Sequence, residues 1–184
     1  RRVEPRELDA LAGTEAPQGV LAVAATPHHD LAALEVAGPA TVLALDAVQD
    51  PGNFGTLVRA AEAFAVAFVA ALPGTVDPWN PKAVRSAAGA SFRVPIVQPS
   101  AGELVEWARE RGFTIYGAAA DGAPVDPARL AQRAVLVVGN EGAGLGAEVA
   151  GAVDEVLAIP MPGRAESLNV AVAAGILLYL LTGS

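Results

Sequence analysis

From residue 41 to the C-terminus, short apolar runs of strand length alternate with stretches of helical pattern. No other feature constrains the fold as strongly. The runs at 42–48, 66–70, 94–97, 113–119, 134–138 and 153–159 are largely apolar throughout, as in strands covered on both faces. Helices are expected from about 53 to 64, 81 to 88 and 102 to 111, shortly after 146, and at the end of the chain; 121–133 reads as loop and turn. Strand–helix alternation predicts an α/β fold, a mostly parallel sheet flanked by helices on both faces. An earlier run, 19–25, also reads as a short strand, followed by a turn that carries His28 and His29. Adjacent imidazoles with no third ligand are poor metal spacing, so no metal site is expected.

A chain of 184 residues suits one domain, or one domain with a fragment. Residues 1–38 are charged and punctuated by Pro and Gly, and read as the tail and linker of something that begins earlier; 39–184 form the main domain. The chain opens on Arg1, so upstream sequence is expected. With no cysteine there are no disulfides, thiolate metal sites or thiol nucleophiles. A net charge of −8 argues against general affinity for nucleic acid, so any such contact must be a local patch. The apolar stretch at the C-terminus falls short of the ~18–20 residues that span a bilayer. No signal peptide is visible, and a soluble cytoplasmic protein is expected.

Ligands in open parallel sheets bind outside the carboxyl ends of the strands, and three unusual loops lie at such ends. The first is D-P-G-N-F-G-T-L-V-R from Asp50 to Arg59. Here Asn53 can cap the following helix, and Gly55 leaves room for close approach to the backbone. The blandest role for Arg59 is a surface pair with Glu62 at i+3. The second loop, G-N-E-G-A-G-L-G, begins at Gly139 and has four glycines in eight residues. It fits the dinucleotide fingerprint poorly, because the acid expected at the end of the next strand is missing and Pro160 stands there. The third runs from Pro160 into the last helix. Ser167 is the expected N-cap, and Asn169 is an amide just inside an otherwise apolar, buried helix. A buried amide without partners costs about 1–3 kcal/mol, so Asn169 must bond a neighbouring loop or a ligand.

Taken together, the three loops resemble the motifs of the SpoU-type (TrmH-like) RNA 2′-O-ribose methyltransferases of the SPOUT superfamily. Asn53 and Arg59 match N-x-x-x-x-x-R. Gly139, Glu141, Gly142, Gly144 and Leu145 match G-x-E-G-x-G-L. The stretch from Ile159 through Val170 matches I-P-M-x-G-x-x-x-S-L-N-V, and Ser86–Ala90 also looks familiar from the family. The resemblance covers residues 41 to the C-terminus. It implies a C-terminal deep trefoil knot, a homodimer whose site is completed across the interface, and S-adenosylmethionine as cofactor. It further implies that residues 1–38 are the remnant of an RNA substrate-binding domain.

The resemblance also assigns residues. Val138, Gly139, Asn140, Gly142, Ile159, Met161, Ser167 and Leu168 would hold the cofactor. Arg59, Asn53, Glu141, Ser167 and Asn169 would serve the transfer of a methyl group to a ribose 2′-hydroxyl of rRNA or tRNA. Arg59 is either an unusual base or a cation that anchors phosphate and steadies the developing alkoxide; a guanidinium is almost never a base, which favours the second. Lys82, Arg85, Arg93 and Arg164 are candidates for the RNA-binding patch. Two alternatives are a non-catalytic RNA-binding module on the same fold and a nicotinamide-dependent oxidoreductase using the glycine loop.

Overall fold

The apolar runs become six strands in a computed structural model that describes residues 2–12, 19–140 and 142–183. They are β1 (Ala40–Leu45), β2 (Val69–Ala71), β3 (Ile96–Val97), β4 (Thr114–Pro124), β5 (Arg133–Val138) and β6 (Glu155–Ala158). Their order across the sheet is β3-β2-β1-β5-β4-β6, and each of these neighbouring pairs is parallel. The helices are α1 (Pro5–Leu11), α2 (Pro51–Ala63), α3 (Pro81–Ser86), α4 (Ala101–Glu110), α5 (Ala147–Ala150) and α6 (Val170–Thr182).

Period-two geometry divides the central strands between two cores. Leu43, Leu45, Leu136 and Val138 face α2, α3 and α6, where they meet Phe54, Leu57, Leu177 and Leu178. Val42, Ala44, Val135 and Val137 face the other side, with Leu104, Trp107 and Phe113. Helix starts are fixed by short polar caps. Asp50 accepts from the Asn53 amide, with Pro51 next to it at the start of α2. Asn80 accepts from the Lys82 amide ahead of α3, and Ser100 forms a capping box with Glu103 ahead of α4.

Several boundaries differ from those the sequence suggests. Residues 19–25 form no strand; Val20 and Val23 are 84% and 97% exposed. A Val/Ala run acquires strand structure only where a ladder and a buried face receive it, and this one has neither. Strand β4 extends to Pro124, into a region that reads as loop. Ala123 and Pro124 rejoin β6 after an irregularity that leaves Ala118 and Ala123 both paired with Leu157. Asn53 does not cap α2, because Asp50 does. Ser167 does not cap α6: that helix starts three residues later, capped by Asn169, whose side chain accepts from the Ala171 and Val172 amides. Asn169 is therefore an exposed cap rather than a buried amide inside the helix. Nor is α6 buried on every side, since Val172, Ile176 and Tyr179 are 52%, 37% and 50% exposed.

Strand β1 leads through α2 to β2 on one side, while the chain after β5 leads to β6 on the other. Leu45 and Val138 are paired, so the carboxyl ends of β1 and β5 stand side by side and their chains diverge. Such a switch point opens a crevice for ligands.

Candidate active site

Two residues beyond β1 hold the crevice together. The Asp46 amide donates to the Val138 carbonyl (2.9 Å), extending the β1–β5 ladder by one step. Its side chain is buried, and Oδ2 accepts from the Gly146 amide at 2.6 Å, a charge-assisted bond across 100 residues of sequence. Ala47 adopts a left-handed φ of 55°, and its carbonyl accepts from Asn140 Nδ2 at 3.1 Å. The step Asp46–Ala47 thus grips the glycine loop near both ends. Within the loop, Asn140 Oδ1 accepts from the Gly142 and Ala143 amides at 2.9 and 3.1 Å. The backbones of Asn140 and Gly144 exchange two bonds. A Cβ on Gly139 would stand 2.3 Å from the Gly144 carbonyl oxygen, so this fold of the loop requires glycine.

The first and third loops meet at one bond. Asn169 Oδ1 caps α6 while its Nδ2 donates to Asn53 Oδ1 at 3.0 Å. The partner that the sequence requires for Asn169 is therefore a neighbouring loop. Gly55 provides the close approach expected of it. A Cβ there would lie 2.4 Å from Ser86 Cβ and 2.5 Å from the Ala83 carbonyl oxygen, so what comes near is α3.

The second and third loops border a cavity of about 490 Å³ at the carboxyl ends of β5 and β6 and beside the middle of β4, within the size range of small-molecule sites. Of the eight expected cofactor residues, Val138, Gly139, Asn140, Ile159, Met161, Ser167 and Leu168 line it. Gly142 does not; its amide is taken up by Asn140. Leu157, Ala173 and Leu177 complete the apolar floor, and Asn169 lines the rim. The described lining carries no charged side chain. Main-chain groups and apolar walls suit an adenosyl group and a sulfonium. The described lining offers no acidic side chain for the ribose of a dinucleotide, and this disfavours a nicotinamide cofactor.

Of the expected catalytic residues, Ser167 and Asn169 line this cavity, Asn53 does not line it but is bonded to Asn169, and Glu141 lies outside the described residues. Arg59 is exposed on α2 and does not line the cavity. Six residues along a helix turn it about 240° away from Asn53. It has no hydrogen bond or ion pair among the described residues, and the expected pair with Glu62 is replaced by Arg93. The Arg93 guanidinium holds Glu62 through two bonds, one of 2.8 Å, which keeps the Glu62 carboxyl below its usual range and Arg93 above its own. Asp50 is held low chiefly by the Asn53 amide, with Lys82 Nζ at 3.5 Å assisting. Of the four patch candidates, Lys82 and Arg93 thus sit in ion pairs, while Arg85 and Arg164 are exposed. Among the described residues no cluster could hold a metal ion.

Residues 40–179 match the model of the SpoU rRNA Methylase family. Over 175 residues the chain is 42% identical to the 23S rRNA (guanosine(2553)-2′-O)-methyltransferase RlmP of Bacillus subtilis (strain 168), covering 95% of this chain and 68% of that protein. The fold matches an AdoMet-bound rRNA methyltransferase from Sinorhizobium meliloti with a TM-score of 0.89 and 31% identity, over 97% of this chain and 69% of the other. It matches the SpoU methyltransferase AviRb from Streptomyces viridochromogenes, in complex with the cofactor AdoMet, with a TM-score of 0.78 and 32% identity, over 85% and 62%. The chain therefore spans about two thirds of the length of these proteins. With two of its loops lining one cavity, the first loop bonded to that cavity's rim, and a family match over residues 40–179, the chain belongs to the SpoU rRNA methylase family.

Proposed function

We propose that this protein is an S-adenosylmethionine-dependent RNA methyltransferase that modifies a ribose 2′-hydroxyl of ribosomal RNA. One observation carries the proposal: the second and third loops line a single cavity without charge in its described lining, and the first loop is bonded to its rim through Asn53 and Asn169. Bound there, S-adenosylmethionine would supply an electrophilic methyl group, its S–CH3 bond breaking as the ribose oxygen bonds to that carbon, with S-adenosylhomocysteine as the leaving group and the hydroxyl proton released to solvent.

The chain's own residues bind, orient and stabilise. The main chain at Val138, Gly139, Ile159 and Leu168, all in the cavity lining, would hold the adenosyl group, and Ser167 and Asn169, also in the lining, would meet the substrate. The bond between Asn53 and Asn169 fixes the spacing of the first and third loops at that entrance. Glu141 belongs to the same loop as Gly139 and completes this set.

Arg59 stays cationic at any physiological pH. It anchors a phosphate of the substrate and steadies the negative charge that develops on the ribose oxygen. Because it does not line its own cavity, a homodimer brings it to the cavity of the second protomer. The exposed apolar stripe Val172, Ile176 and Tyr179, on a helix packed beside α2, supports that assembly.

Two features of the chain path complete the proposal. Helix α6 leaves β6, at the sheet edge, yet packs against α2, β1 and β5. This return supports a knotted C-terminal passage of 139–169. Residues 39–184 form the catalytic domain, and 1–38 connect to an RNA-binding domain; the family match beginning at residue 40 supports that division. Modification of ribosomal RNA places the protein's work in the cytoplasm. No described helix is long and apolar enough to cross a membrane.

The test is transfer of labelled methyl from S-adenosylmethionine to ribosomal RNA, followed by alkaline hydrolysis. The proposal expects label in alkali-resistant dinucleotides, and Arg59→Ala should keep cofactor binding but lose more than about 100-fold in turnover. Wild-type protein that binds RNA but transfers no methyl would instead indicate a non-catalytic binding module.

A further inference from the structure

Away from the cofactor cavity, two aromatic rings meet at the surface. Phe92 is 60% exposed and meets the half-buried Trp79 with ring centroids 6.0 Å apart and planes 42° apart. The segment that carries them also carries Lys82, Arg85 and Arg93. Residues 50–98 hold four basic and three acidic side chains, in a chain whose overall charge is −8. Three basic side chains elsewhere are committed to the fold: Arg109 to Asp154, Arg133 to the carbonyls of Val36 and Gly38, and Arg111 to Glu110 and the Trp107 ring. By contrast Arg59 and Arg85 have no hydrogen bond or ion pair among the described residues. Here the surface departs from the acidity of the whole, beside two accessible rings.

The region is tied firmly to the active site. Lys82 Nζ lies 3.5 Å from Asp50 Oδ2. Asp50 caps α2 through the Asn53 amide, and Asn53 Oδ1 receives Asn169 from the cavity rim. Gly55 lets α3 seat directly on the first turns of α2. Trp79 also lines an open cavity of about 590 Å³ whose walls include Glu103, Glu106 and Glu110 against a single arginine, Arg111. Those carboxylates repel phosphate, so a nucleic-acid backbone must pass on the side of Lys82 and Arg85.

We propose that Trp79 and Phe92 form a stacking platform for an unpaired base of the RNA substrate, one that flanks the methylated nucleotide, with Arg85 and Lys82 on the adjoining phosphates. Unpaired bases are commonly held in this way, on exposed rings bordered by cations. The assignment of RNA as the ligand class rests on the methyltransferase proposal above.

The test omits the cofactor and titrates a short single-stranded RNA into the full chain while following indole fluorescence. Trp107 is only 4% exposed, so an RNA-dependent signal should come from Trp79. The expected result is quenching that disappears in Trp79→Phe while affinity for labelled RNA is kept. Phe92→Ala should weaken RNA binding about tenfold and Phe92→Tyr should not. Affinity for S-adenosylhomocysteine, measured separately, should be unchanged in both Phe92 variants. Equal RNA affinity in Phe92→Ala and wild type would overturn the platform. So would a change in sedimentation of RNA-free Phe92→Ala with RNA affinity unaltered, since the rings would then serve a protein contact. Quenching by RNA in a protein that takes up no S-adenosylhomocysteine would leave the platform standing and refute the methyltransferase proposal.

Discussion

At the scale of single residues, Asn169 and Asp46 do the joining. Asn169 uses one end of its amide as a helix cap and the other as a bridge to Asn53, and the two roles separate by mutation. Asn169→Ala should lose both, lowering Tm by about 2–4 °C for a cap worth about 1 kcal/mol. Asn169→Ser restores a capping oxygen but is too short to reach Asn53, so melting should recover while turnover stays low. Recovery of both in the serine variant would show the bridge to be idle. For Asp46, alanine removes the acceptor of the Gly146 amide. Loosening that end of the glycine loop should raise the Kd for S-adenosylhomocysteine about tenfold. Asp46→Asn keeps an oxygen acceptor and should recover most of the affinity; calorimetry on the pair checks this, and an alanine variant as tight as wild type would contradict it.

The sequence revealed these residues unequally. It pointed to a partner for Asn169 on a premise that fails, since the amide is an exposed cap rather than buried, and it did not place that partner 116 residues earlier. Asp46 was hidden inside a run that reads as strand to residue 48; the one cue was an acid interrupting an apolar stretch. The cap of α2 was legible in principle. Proline favours the first helical position, so Pro51 points to Asp50 rather than to Asn53. No proline marks the start of α6, and nothing local separates Ser167 from Asn169.

At the scale of elements, α2 and α6 carry the account. Their contact sets Asn53 against Asn169, and Tyr179 meets the Phe64 ring edge-on at 6.2 Å. Helix α6 contains no charged residue, and its exposed positions 172, 176 and 179 fall on one face at helical spacing. Apolar periodicity showed that α6 is a helix, but a helix apolar on all sides hides which stripe faces the core and which is left exposed. A carboxylate at the centre of the stripe is the direct probe. Ile176→Asp should sediment as a monomer where wild type sediments as a dimer. Its melting should fall little, because Ile176 is already 37% exposed in the single chain, and turnover should fall with the dimer. A wild-type monomer with full activity would contradict the shared site.

At the scale of the whole molecule, strand–helix alternation was enough to specify a parallel α/β sheet, because each strand needs cover on both faces. It could not fix strand order. The neighbours β1 and β5 are separated by some 90 residues of sequence, and that adjacency creates the crevice. The cavity has one property that composition alone obscured: an acidic chain builds a site without charge in its described lining. The central claim is that this site takes the adenosyl cofactor, and calorimetric titration with S-adenosylhomocysteine tests it most directly. The account predicts saturable uptake by wild type and at least about tenfold weaker uptake by Gly139→Ala, whose added Cβ would meet the Gly144 carbonyl oxygen at 2.3 Å. No uptake by wild type, or undiminished uptake by Gly139→Ala, would contradict it.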